Sequence, residues 1–392
     1  MVSRAAENNF AVMKRNALLG GFTNGLLSAY SPLFIRGLGA SALAIGGLSS
    51  VAAVASTMIS FAGGFVADRV GKRNLVLFFN FIGVLMSFVV VFARDWKMLA
   101  ITTAFGALGG LAGPAQEALT AEAIISSKKG VTKNLAIYQS IQMLPNIVTP
   151  LIGGVLLNVL GVDFGFRLVG FLGAIIGIFT FLNNLSLEET MTPMAKKPLF
   201  GKGGLSMNLT TPIKANIAAW GLIAIANSAV SPFYLLFAKE VVGIQPLQWG
   251  VIISAQTAGA IMFKIPGALV TDKIGKKKLM MSSVALNAIV PSLYVLFTKN
   301  YNDAFFYQML LIVFGMFYGQ ASYALFILQI PEDSRARMLT VWNTANQYSR
   351  LMGGFMGGFL YDVNIMFPFF FFTLAEWAAV YAMMWVEDIK DT

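Results

Sequence analysis

The sequence predicts an all-α membrane protein, with twelve transmembrane helices in two parallel-repeat six-helix bundles. Three observations lead there. Of 392 residues, 57% are hydrophobic and 12% charged, and mean hydropathy is +0.71, more apolar than a soluble domain of this length needs. The apolar residues gather in about a dozen runs of roughly 20, the length a helix needs to cross ~30 Å of hydrocarbon. The second half of the chain also repeats the first at a nearly constant offset. No run shows the alternation of a membrane barrel strand.

In order, the helices are expected near 16–36, 41–66, 74–93, 98–122, 134–160, 166–185, 213–237, 246–270, 279–298, 304–329, 338–361 and 365–386. The first run is long and lacks a small-residue cleavage site, so it reads as a helix, not a removable signal peptide. The second ends on Gly64-Phe65-Val66-Ala67-Asp68-Arg69-Val70-Gly71-Lys72-Arg73, and the third begins at Asn74. The eighth ends on a copy 204 residues later, which aligns Asp68 with Asp272 and Gly71 with Gly275. At the same offset of 204, Tyr138 of the fifth aligns with Trp342 of the eleventh, and Gly153-Gly154 with Gly357-Gly358. Ser31-Pro32 matches Ser231-Pro232 at 200, and four extra residues around Val241–Pro246 restore 204. The longest polar interruption, rich in Lys, Pro and Gly, suits a linker. The division is therefore a six-helix bundle over 1–185, a cytoplasmic linker over 186–212 and a second bundle over 213–392.

A net charge of +10 could suggest nucleic acid, but its distribution argues otherwise. The N-terminus and every second loop hold 20 of the 28 basic residues, and the opposite loops hold 6. The remaining two, Lys264 and Arg350, fall inside helices. That bias places both termini in the cytoplasm of a multi-pass protein of the cell membrane, with the lipid bilayer and no nucleic acid as its surroundings. With no Cys and no His, disulfides, thiol chemistry and imidazole metal sites are excluded. No nucleotide-binding loop is found. An enzyme, a metal and a cofactor are therefore not expected, and any proton relay must use carboxylates.

The repeated pattern Asp-(Arg/Lys)-x-Gly-Lys-(Arg/Lys) resembles the loop between the second and third helices of the major facilitator superfamily, which recurs between its eighth and ninth. The resemblance covers about residues 16 to 386. It implies a monomer whose two halves are related by an axis normal to the membrane, with a small-molecule site between them near the midplane. It also implies a cytoplasmic latch of Gly64, Asp68, Arg69, Gly71, Arg73, Asp272 and Gly275, completed by the acid Glu122. Physically, Gly64 and Gly71 permit close backbone approach, and Asp68 can accept bonds from a helix N-terminus or an Arg. A positive-inside loop with no gating role accounts for the same residues.

Three departures from the family stand out. The fourth helix has no basic residue over Ile101 to Gly110, where proton-coupled members commonly carry an Arg. The antiporter motif of the fifth survives only as its Pro150-x-x-Gly153-Gly154 end. The first helix has no acid. These weaken a proton-driven drug-efflux reading.

Four ionisable residues interrupt the apolar runs: Glu117, Lys264, Arg350 and Glu376. Each costs roughly 2.5–3.5 kcal/mol at a helix centre. Arg350 sits about 12 residues into its helix, roughly 18 Å deep, and shares an arc with Asn343, Asn346 and Gln347. Their repeat partners include Gln142 and Asn146. An Arg beside amides suits bidentate capture of a carboxylate or phosphate. Equally, Arg350 and Glu376 sit at similar depth on adjacent helices and could form a structural ion pair. Lys264 matches a basic residue that the resemblance places in anion carriers, or it snorkels toward cytoplasmic water. Glu376 and Glu117 are the carboxylates available for a coupling proton, although Glu117 also reads as solvated or latch-paired. Asn227 and Tyr234 in the seventh helix, and Tyr318 and Tyr323 in the tenth, belong to polar-aromatic stripes that could contact a solute or simply pack.

The expected function is secondary transport of a small organic anion by alternating access. The alternative is multidrug or lipophilic-compound efflux of the proton-antiporter type, from an aromatic content of 13% and 20 Met. A non-transporting membrane receptor is the third reading, and the short loops give it little surface for signalling.

Overall fold

The computed structural model describes residues 4–125, 131–188, 210–263, 270, 274–330 and 335–388. Among these there is no strand. The helices are α1 Arg4–Ser28, α2 Ser31–Gly37, α3 Ala42–Val70, α4 Lys72–Phe92, α5 Trp96–Leu108, α6 Gly113–Ile125, α7 Val131–Met143, α8 Pro145–Leu160 and α9 Val162–Asn184. They continue as α10 Thr211–Glu240, α11 Pro246–Met262, α12 Lys276–Phe297, α13 Tyr301–Gln329, α14 Arg335–Val363 and α15 Phe367–Met383.

Paired across short breaks, they make the twelve expected passes. Three passes expected to be continuous are broken. The first breaks at Ala29-Tyr30, where Pro32 opens α2. The fourth passes through a 3-10 turn at Gly109–Ala112, with Gly113-Pro114 following. The fifth breaks where Pro145 opens α8. Proline fits the first turn of a helix, where its missing N–H is not needed. The same device opens α10, α11 and α15.

Both loop glycines adopt the left-handed backbone that only glycine tolerates well, Gly71 at φ 92° and Gly275 at φ 96°. Each caps the helix that follows it. The repeat extends to the next basic residue. Arg73 Nη2 donates to the Leu185 carbonyl at 2.9 Å, and Lys277 Nζ donates to the Met384 carbonyl at 2.8 Å. Each places a cation on the C-terminal end of its half's last pass, where the helix dipole favours it. These residues mark one face of the molecule, the terminal face. There Asn9 also bonds the backbone of Glu188.

The halves meet mainly through two helix pairs, α3 with α14 and α8 with α11. The repeat exchanges these pairs, as a two-fold axis between the halves requires. Glycine makes the contact close. A Cβ on Gly154 would lie 2.9 Å from the Leu247 Cα, and one on its repeat mate Gly358 would lie 2.6 Å from the Leu43 Cα. The preceding glycines of each pair pack within their own half, Gly153 on Tyr30 and Gly357 on Ala229. That explains the duplicated Gly-Gly.

Large apolar side chains cover the outside, with Leu374 70% and Phe92 68% exposed. Exposure on that scale fits a surface facing lipid. Among the described residues, seven helical segments are long and apolar enough to cross a membrane by length and composition.

Candidate functional site: a polar cavity between the halves

A cavity of about 850 Å³ lies between the halves, walled by α1, α2, α3, α8, α10, α11, α13 and α14. Four of the expected binding residues besides Arg350 line it: Asn146, Asn227, Tyr318 and Asn346. Among its lining residues Arg350 alone is charged. The sequence reading did not single out the other polar contributors, Ser28, Ser49, Ser50, Ser228, Trp249 and Thr257. Small hydroxyl residues in apolar helices carry little signal, because they bond their own backbone equally well.

Arg350 is held from behind. Its Nε donates to Asn346 Oδ1 at 3.1 Å, one helical turn away. Its carbonyl accepts from Ser228 Oγ of α10 at 2.7 Å and from Ser50 Oγ of α3 at 3.3 Å. The guanidinium forms no ion pair among the described residues. The ion pair with Glu376 that the sequence left open as an alternative is not formed. Glu376 is 1% exposed, and both of its oxygens accept from Asn287 Nδ2 of α12 at 3.0 Å. Equal depth on neighbouring helices does not mean facing sides.

Glu376 lines a smaller chamber of about 210 Å³, with Tyr234, Asn287 and Phe372. Ile223, Asn227, Gly315 and Tyr318 line both spaces. Tyr234 therefore belongs to the side chamber rather than the main cavity. Gln142 and Asn343 are exposed but are not among the cavity's lining residues, and Gln347 is half-buried outside it. Glu117 is exposed, in keeping with a solvated carboxylate. Lys264 and Asp272 lie outside the described residues. For Gly64, Asp68 and Tyr323 only the helical backbone is described.

Of the expected latch, Glu122 pairs with Lys72 of its own half, while Arg69 is exposed. Among the described residues, hydrogen bonds and an ion pair join the halves on the face opposite the termini. There Tyr30 Oη, which donates to the Pro150 carbonyl of its own half at 2.6 Å, lies within 3.1 Å of the Pro246 carbonyl of the other half. Asp362 accepts from the Ala42 and Leu43 amides at 3.0 Å each, capping α3 from the other half. Arg36 pairs with Glu240 at 3.0 Å. The largest apolar cluster, with Tyr30, Phe34, Ile45, Phe233, Trp249 and Tyr361, spans both halves at this level.

The sequence model of the Major Facilitator Superfamily matches residues 16–223 and 216–390. The chain belongs to the major facilitator superfamily. It is thus a multi-pass membrane transporter and not an enzyme. Its similarity to an uncharacterised MFS-type transporter of Methanocaldococcus jannaschii is 22% identity over 385 residues, 93% of this chain and 94% of that protein. It is 25% identical over 296 residues to the multidrug resistance protein MdtG of Escherichia fergusonii, covering 72% and 71%. Against the quinolone resistance protein NorA of Staphylococcus aureus it is 22% identical over 361 residues, 88% of each. Among solved superfamily structures, the nucleoside transporter NupG superposes with a TM-score of 0.74 at 13% identity, covering 97% of this chain and 98% of that one. A bacterial Spinster homologue, inward-facing and occupied, gives 0.72 at 14% identity, covering 96% and 94%. These two likenesses concern the fold alone.

Proposed function

We propose that this transporter carries a small organic anion by alternating access and that Arg350 captures it. The observation behind this is a guanidinium with no ion-pair partner among the described residues, set in a cavity whose other described lining residues carry no charge. A charge inside the bilayer costs roughly 2.5–3.5 kcal/mol, so it persists where a ligand or cavity water offsets that cost. Asn346 takes the Nε proton and orients the fork, leaving the terminal nitrogens for a carboxylate or phosphate. Lys264 is proposed as a second cation for the same ligand.

The contacts described between the halves on the face opposite the termini support a state closed on that face. The positive-inside bias puts the terminal face in the cytoplasm.

A second reading is export of lipophilic compounds. It is supported by the names of the MdtG and NorA relatives and by Trp220, Trp249 and Tyr318 in the wall. Thermal stability of the purified protein separates the two readings, because a ligand bound to the folded state raises the melting temperature with its concentration over Kd. A carboxylate or phosphate that stabilises wild type but not Arg350→Ala supports the anion reading. Lipophilic drugs that stabilise both equally, with no anion effect, replace it with efflux.

A further inference from the structure

We propose that the substrate is a zwitterion, its acidic group on Arg350 and its protonated amine in the Glu376 chamber. This rests on the reading of Arg350 above. Glu376 is 1% exposed, and its only hydrogen-bond partner among the described residues is one amide nitrogen of Asn287. Around it, Asn287 Oδ1 and Tyr234 Oη are buried and have no hydrogen-bond partner among the described residues. Native interiors rarely leave such a cluster unpaired, and each exception calls for an explanation. A structural Asn–Glu pair alone does not explain it.

What the chamber offers is a carboxylate, an amide oxygen, two phenol oxygens, and the rings of Tyr234, Tyr318 and Phe372. An ammonium has only donors and is attracted to aromatic faces, so it is the group this set complements. A chamber of about 210 Å³ admits the amine end of a molecule whose body occupies the space of about 850 Å³. Asn227 and Tyr318 line both, so a solute reaching past them contacts Arg350 and Glu376 together. A ligand with one charge leaves the opposite protein charge uncompensated in a low-dielectric slab. A zwitterion offsets both at once.

The test is a binding titration of the full-length purified protein with ω-amino acids of increasing chain length. Alkanoates and alkylamines of matching length serve as single-charge controls. In wild type, one ω-amino acid length should bind at least about ten-fold tighter than either matched control, the gain of one buried charge-assisted contact. Glu376→Gln should bring that compound down to its alkanoate, and Arg350→Ala down to its alkylamine. The wild-type series decides by itself if Glu376→Gln does not fold. The proposal is overturned if alkanoates match the ω-amino acids at every length, if no ω-amino acid binds, or if Glu376→Gln keeps the zwitterion preference. In the first and last cases, alkanoate binding that Arg350→Ala abolishes leaves the anion reading standing. Alkanoate binding that survives Arg350→Ala removes both.

Discussion

Arg350 and Glu376 differ in how the protein holds them, and that difference can be measured. Among the described residues no acid is paired with Arg350, so its removal strands no described carboxylate. Arg350→Leu is expected to leave the melting temperature unchanged or raise it, while abolishing anion binding. A fall of several degrees on substitution would reveal a structural ion pair instead. Arg350→Lys keeps the charge and loses the fork, so anion affinity should drop by about ten-fold without a change in stability. Glu376 depends on one donor, so Asn287→Leu should cost about 1–3 kcal/mol, the range for stranding a buried polar group, and a thermal melt will show it. Arg350 was legible in the sequence because it is a lone charge on an amide-rich face. The partner of Glu376 was not. Counting residues from the loop gives depth along a helix, but facing is decided by the packing of α12 against α15. Asn287, itself a polar residue in an apolar run, was the available signal.

Elements carry the repeat more faithfully than single side chains do. The duplicated Gly-Gly and the loop glycines were readable as a pattern, and their φ values and close approaches supply the cause. The breaks in the first, fourth and fifth passes were not anticipated, because apolar run length is blind to a proline or glycine inside the run. Those breaks shape the site. Pro32 and Asn146, which follow two of them, both line the cavity. The glycine contacts between halves lead to a prediction at this scale. Gly46 meets Gly354 of α14, and its repeat mate Gly250 meets Pro150 of α8. A leucine at either position overpacks a cross-half contact, at about 1–3 kcal/mol. Gly46→Leu and Gly250→Leu should therefore each favour opening on the face opposite the termini, and to a similar degree. The chain has no Cys, so Ser31→Cys in the cavity wall can report that opening through its labelling rate with a membrane-impermeant maleimide applied to that face. If only one of the two glycine variants accelerates labelling, the halves do not share the closure as the repeat implies.

At the scale of the whole molecule, alternating access requires that closure on one face be reversible, so its contacts must be neither trivial nor overwhelming. Their strengths can be ordered from their surroundings. Tyr30 is fully buried, and its hydroxyl lies within reach of carbonyls on both halves. Tyr30→Phe strands those groups, at about 1–3 kcal/mol. Asp362 caps α3 from an exposed position, and a lost N-cap costs about 0.5–2 kcal/mol. The Arg36–Glu240 pair has side chains 37% and 31% exposed, and such pairs contribute about 0–1 kcal/mol. Each 1.4 kcal/mol lost from the closed state shifts the open-to-closed ratio about ten-fold. Labelling of Ser31→Cys in intact cells should therefore accelerate most in Tyr30→Phe, less in Asp362→Ala and least in Arg36→Ala. Added salt should narrow the Arg36 effect further. The same reagent reads orientation, because a cysteine replacing Lys299 should label from outside the cell and one replacing Lys278 should not. Inverted labelling of that pair would reverse the assignment of faces. If Arg36→Ala had the largest effect, closure would rest on exposed charge rather than on the buried contact at Tyr30.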